Sequence, residues 1–195
     1  MSLSNTESVP DRRQLIFSAL MDTSNGAENA GFLASMLASW LTGEGVLPAY
    51  MGLTPESFKA MLQRFFPAFP QAGFPAVDKL SDEMPERQEL VSLFAADYAD
   101  DDEMRVWIAD ILIAACAGHR HLWEDLGLFS RKDLTGMMQG NFPALAQRNL
   151  RDMKWKKFIY KQLCEREGII ACPAPTCDAC ADFPVCFAPE DEPSD

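Results

Sequence analysis

Residues 107–116, WIADILIAAC, carry one charge, at Asp110, and are otherwise apolar around the whole circumference of a helix. A helix apolar on every side must be enclosed by other elements rather than laid on a surface. This segment therefore predicts the buried central helix of a bundle, and the rest of the chain has to supply the helices around it.

The surrounding sequence does so with apolar residues at three- and four-residue spacing, the period of a helix with one buried face. Leu15, Ile16 and Leu20, then Phe32, Leu33, Met36, Leu37, Trp40 and Leu41, mark two helices separated at Ser24-Asn25-Gly26. Thr54-Pro55-Glu56 offers a capping hydroxyl, a proline suited to the first helical position and an early carboxylate, leading into Phe58, Met61, Leu62 and Phe65. Three Phe-Pro pairs follow, at 66–67, 69–70 and 74–75, and predict an irregular loop up to residue 84. Pro85-Glu86 opens another helix with Leu90, Leu93 and Phe94 inward, and Asp100-Asp101-Asp102-Glu103 suits the positive N-terminus of the central helix. Ser130-Arg131-Lys132-Asp133 resembles a capping box, Asn141-Phe142-Pro143 begins a further helix, and β-branched residues are sparse. The expectation is all-α: a single-domain helical bundle over residues 11–168, a flexible N-terminal tail at 1–10, an irregular cysteine-rich metal-binding loop at 169–190 and an acidic tail at 191–195.

Charge narrows the function. With 17 Lys and Arg against 29 Asp and Glu, the net charge is −12, which argues against a nucleic-acid binder, since phosphate contact needs positive surface. No apolar stretch approaches the ~20 residues of a membrane span, and the first residues lack a basic segment followed by an apolar one. A cytoplasmic, membrane-free protein is expected. Clustered cysteines in that compartment bind metal more often than they form disulfides.

Four of the six cysteines, Cys172, Cys177, Cys180 and Cys186, form the pattern C-x4-C-x2-C-x5-C, close enough for four thiolates to converge on one centre. Thiolates select soft centres, zinc or iron–sulfur, over magnesium or calcium. Structural zinc usually takes two short C-x2-C knuckles. Here only Cys177 and Cys180 form one, and the longer arms suit a cluster better than one ion. The first three positions match the opening of plant-type ferredoxins, but the fourth does not. A structural-zinc interaction module and an iron–sulfur redox carrier or sensor therefore remain open on spacing alone. Cys116 falls in the central apolar segment and is read as packing, whereas Cys164 lies off the apolar stripe of its helix.

Immediately upstream, Arg148, Arg151, Lys154, Lys156, Lys157 and Lys161 face only Asp152, so residues 148–161 are strongly positive within an acidic chain. At about 100° per residue, Trp155, Phe158, Ile159 and Leu163 share one helix face and Lys154, Lys157 and Lys161 gather on the other, a surface for an anion or an acidic partner. His119 and His121 flank Arg120 and, two residues apart, point to nearly opposite sides, so they are no preformed chelating pair. Either could complete the coordination of a metal that thiolates leave open, with Arg120 drawing in an oxyanion. No Ser-His-Asp order, phosphate loop or dinucleotide fingerprint is present, so a carrier is expected rather than an enzyme.

The stretches HRHLWEDLGL at 119–128, NFPALAQRN from Asn141, MKWKKFIYKQLCEREG at 153–168 and the cysteine tail through CFAPE at Glu190 together resemble the NifQ family of nitrogen-fixation proteins, over residues 105–190. The resemblance implies a molybdenum–iron–sulfur cluster ligated by Cys172, Cys177, Cys180 and Cys186. It also implies molybdate as the source of molybdenum, and donation of that metal for assembly of the nitrogenase iron–molybdenum cofactor. The recipient would be the nitrogenase cofactor scaffold complex, working with the nitrogenase iron protein.

Overall fold

A computed structural model describes residues 11–70, 84–168 and 183–187 of the chain; the predicted tails and most of the cysteine-rich segment lie outside these residues. The regular structure among the described residues is helical, without strands. Helices α1 (Arg12–Asp22) and α2 (Ala30–Thr42) pack as a hairpin, with the carboxylate of Asp11 accepting the Arg13 N–H at the first and Gly43 closing the second in the left-handed conformation. A 3₁₀ turn at Ala49–Gly52 leads to α3 (Pro55–Phe65), whose Thr54 hydroxyl accepts the Ser57 N–H as its sequence predicts. Gly52 has φ +88°, and a Cβ there would stand 2.5 Å from the Ala114 methyl, so only glycine lets this turn press on the central helix.

That central helix, α5 (Glu103–Cys116), lies against the 3₁₀ turn, α3, α4 (Arg87–Ala95) and α6 (Leu122–Leu126). Ile108, Ile111, Leu112 and Ala115 are fully buried, as an all-round apolar segment demands. Its one charge inside that segment, Asp110, is met by Arg87 of α4 at 2.8 Å, while burial pushes the carboxyl above its ordinary pKa. Helix α4 starts at Arg87 rather than at Pro85; Pro85 and Glu86 form the preceding turn, and the Leu90 N–H donates to the Glu86 carbonyl. The bundle continues with α7 (Arg131–Asn141), capped by Ser130, then α8 (Pro143–Arg148), α9 (Trp155–Arg166) and the short α10 (Phe183–Phe187). Phe66 is buried and Phe69 packs against the core, whereas Phe74 lies outside the described residues. Among the described residues no helix is long and apolar enough to cross a membrane.

Apolar spacing does not reveal the polar tie inside this core. Arg105, only 4% exposed on α5, donates to both carboxylate oxygens of Asp100 and, at 2.6 Å, to the side-chain oxygen of Asn141. Asn141 and Asn29 exchange amide hydrogen bonds at 2.7 and 3.1 Å, so α2, α5 and α7 are joined through one satisfied network. Buried polar groups stabilise a fold only when partnered, and these are.

The acidic run before α5 also does more than cap. Asp102 accepts the Met104 N–H and both guanidinium nitrogens of Arg64, each at 2.6 Å; the Arg64 hydrogen bonds lead in holding its carboxyl at about 2. A carboxylate whose folded pKa lies below its unfolded value stabilises the fold fully above the unfolded pKa and loses that contribution as pH falls toward the folded one. Arg64→Met should therefore be less stable than wild type by about 1 kcal/mol near pH 6, the pair being partly solvent-screened. The difference should vanish between pH 4 and pH 2. Urea unfolding of both proteins across that range checks it.

Candidate metal centre

The described end of the cysteine segment is positioned by the loop that starts α9. Asn149 binds Met153 twice, its side-chain oxygen accepting the Met153 N–H at 2.8 Å and its amide donating to the Met153 carbonyl at 2.9 Å. Arg131 of α7 reaches across to the Asp152 carboxylate and to the carbonyls of Asp152 and Met153. Asp152 is held at φ +55°, unusual for a residue with a Cβ. From this braced start α9 buries Trp155, Phe158, Ile159 and Leu163, the face its sequence predicts, and the Trp155 indole donates to Thr135.

No side chain caps α9. Instead the Lys154 N–H donates to the carbonyl of Cys186 at 3.0 Å, and Cys186, half-buried on α10, packs against the core. The last cysteine is thus fixed at the positive end of a twelve-residue helix, bound to the Lys154 amide. Four thiolates around a metal centre concentrate negative charge, so this environment suits the donor set. Cys172, Cys177 and Cys180 lie outside the described residues, and among the described residues no three His, Cys, Asp or Glu side chains converge as a metal site.

Two residues beyond Lys154, Lys156 turns inward. Its ammonium pairs with Asp125 Oδ2 at 2.5 Å and donates to the carbonyls of Gly118 and Arg120 at 2.9 and 3.0 Å. Asp125 is 0% exposed, and a Cβ on Gly118 would come within 2.3 Å of its carboxylate, so residues 118–120 wrap the pair closely. Arg120 is drawn into the same arrangement, its Nε 3.9 Å from Asp125 Oδ1 and its guanidinium donating to the Glu44 carbonyl. His121 stands at the N-cap of α6 with its N–H donating to Glu124, and His119 is exposed. Through Lys154 and Lys156, one end of α9 therefore gathers the last cysteine and the histidine segment.

The segments that meet there are those whose residue pattern resembles a known family. The NifQ family profile matches residues 32–188. The chain belongs to the NifQ family. It is 35% identical over 171 residues to the NifQ protein of Azotobacter vinelandii, covering 82% of this chain and 88% of that one. Identity to the Rhodobacter capsulatus NifQ protein is 38% over 167 residues, covering 84% and 91%. To the Klebsiella pneumoniae NifQ protein it is 30% over 163 residues, covering 76% and 93%. Membership places the chain among nitrogen-fixation proteins, and the match extends upstream of residue 105 to residue 32, so most of α2, the 3₁₀ turn, α3 and α4 fall within it. No solved structure matches the chain significantly.

Of the predicted strip of Lys154, Lys157 and Lys161, one member, Lys161, is engaged by a carboxylate, and the basic residues Arg148 and Lys156 of the same segment are engaged as well. Arg148 is bound to Asp97 at 2.6 and 3.2 Å and to Gln162, Lys161 pairs with Glu165 at 3.6 Å, and Lys156 is consumed by Asp125. Lys157 stays exposed and Lys154 half-exposed. Cys116 is buried in the core, and burial pushes its thiol up to about 12. Cys164 is half-buried on α9. Lys156 is not part of the predicted strip of Lys154, Lys157 and Lys161; the local signal for its inward turn is its place at the border of the apolar stripe, beside Trp155.

Proposed function

We propose that this NifQ-family chain carries an iron–sulfur centre on Cys172, Cys177, Cys180 and Cys186, receives molybdenum originating from molybdate, and donates it for assembly of the nitrogenase iron–molybdenum cofactor. The recipient is the cofactor scaffold complex, working with the nitrogenase iron protein. It is a carrier and donor rather than an enzyme. The observation that carries this reading is that the first turn of α9 binds both Cys186, through the Lys154 amide, and the histidine segment, through the Lys156 ammonium.

The centre, when bound, would supply sulfide, a soft ligand set for molybdenum. The chain's own residues do the rest. Thiolates hold iron, the N-terminus of α9 and Lys154 offset their charge, and Lys157 adds positive potential toward an incoming oxyanion. His119 and His121 supply nitrogen to a metal that needs more ligands than a tetrahedral iron site provides, and their placement on a loop rather than inside a helix keeps that bond exchangeable.

Iron, molybdenum, zinc and acid-labile sulfide counted on anaerobically purified protein test the reading. Iron and sulfide with molybdenum that passes to the scaffold complex support it. Stoichiometric zinc without iron would make the chain a structural-zinc module, and iron with no transferable molybdenum a redox carrier. Changing His119 and His121 together to alanine should lower bound molybdenum about tenfold, the typical minimum cost of a lost supporting ligand interaction, while sparing iron. Unchanged molybdenum removes both residues from the scheme.

A further inference from the structure

Leu150 is 90% exposed, the most exposed of the large apolar side chains described. A single exposed leucine is ordinary on a protein surface. This one is not left there by slack, because the chain is braced on both sides of it. Arg148 before it is pinned to Asp97, Asn149 binds Met153 twice, and Arg131 makes three hydrogen bonds to Asp152 and Met153. Asp152 holds a positive φ. A mobile loop could fold its leucine onto the core; a loop fixed at this many points holds it in water at a constant cost.

Its surroundings give the exposure a direction. Leu150 precedes Lys154 by four residues, so the two lie within about 14 Å even if the chain were fully extended. The Lys154 N–H in turn holds Cys186, whose neighbour Val185 is 54% exposed. A standard interface covers about 800 Å² per partner, a disc of roughly 16 Å radius, so one footprint reaches both apolar side chains and the end of the cysteine segment. Exposed Arg151 and Lys157, with Lys154, supply a positive rim in a chain of net charge −12.

From this we infer that Leu150 is the anchor of a docking surface for a separate protein that presents an apolar socket rimmed by carboxylates. Resting on the proposed function, that partner is the recipient of molybdenum, held with its acceptor site against the cysteine segment. Interfaces draw most of their energy from a few apolar anchors desolvated inside a polar rim, and charge complementarity speeds encounter and sets register. A second copy of this chain is disfavoured as occupant, because a two-fold contact would set the basic rim against itself.

The test uses full-length, anaerobically loaded protein, wild type, Leu150→Met and Leu150→Asp, with purified cofactor scaffold complex as probe. Expected is binding that weakens about tenfold to a hundredfold for Leu150→Asp, the scale of one buried leucine. Leu150→Met should restore it, transfer of molybdenum at limiting recipient should fall in parallel, and iron and molybdenum content should not change. Wild-type binding should also weaken as salt is raised. Binding and transfer within twofold of wild type in Leu150→Asp would overturn the surface and leave the proposed function standing. Loss of iron or molybdenum from that variant would overturn it in favour of a structural role, and a wild-type dimer dissolved by the substitution would overturn it in favour of self-association. A loaded wild-type protein that neither binds nor loads the scaffold sinks the proposed function, and this partner with it.

Discussion

Serine at Cys172, Cys177, Cys180 and Cys186 together is expected to leave the protein folded and without metal, with iron and molybdenum below about a tenth of the wild-type content. A hydroxyl is a hard, poorly ionised donor, and the soft centre proposed here depends on thiolates for affinity and charge. Folding should survive because the core is assembled from α1 to α9, around Phe65, Phe94, Phe142 and the apolar length of α5, and Cys186, the one of these four cysteines among the described residues, is only partly buried against it. Losing that partial contact should cost about 1 kcal/mol, the ordinary scale of a single substitution. Circular dichroism and urea unfolding monitor the first half of the expectation, elemental analysis and the visible chromophore the second. A quadruple variant that still carries iron and still supports cofactor maturation would end the proposed function.

The second large effect is expected from Lys156→Met. Removing one member of a buried ion pair strands the other, at a typical cost of about 3–5 kcal/mol. Asp125 is fully enclosed, Oδ1 already lacks a hydrogen bond, and Arg120 at 3.9 Å is no substitute for the ammonium 2.5 Å from Oδ2. The carbonyls of Gly118 and Arg120 lose their donor at the same time. Against a whole-domain stability of about 5–15 kcal/mol this is a major loss, and it should appear as a sharply lower urea midpoint. Lys156→Met combined with Asp125→Leu should be less destabilised than Lys156→Met alone, since no charge is then stranded. On the loaded protein, either variant should release molybdenum ahead of iron, because it frees the histidine segment while Lys154 still binds Cys186 through its backbone.

Much of this arrangement can be read from the chain. Thr54, Asp102 and Ser130 cap the helices their positions predict, and Trp155, Phe158, Ile159 and Leu163 bury the face their spacing defines. These are local facts, set by which residues recur every three or four positions and which side chains can accept an end amide. The family and the donor type are legible for the same reason, being written in contiguous motifs. Arg105 shows what such local facts leave out. A charged residue near the start of an apolar helix reads as a surface group, and its burial becomes visible only with Asn141, 36 residues away, and Asp100 in place.

What the sequence by itself determined, then, is that the chain makes helices, where most of them begin, and that four cysteines cluster at 172–186. That Lys156 turns inward onto a buried carboxylate was decided by the tertiary structure, and so was the docking of Cys186 on the first turn of α9. Helical period separates neighbouring residues by only about 100°, and Asp125, which tips the balance, lies 31 positions upstream. A contact across that separation depends on how α6 and α9 pack, and packing is a property of the whole core rather than of any window along the chain.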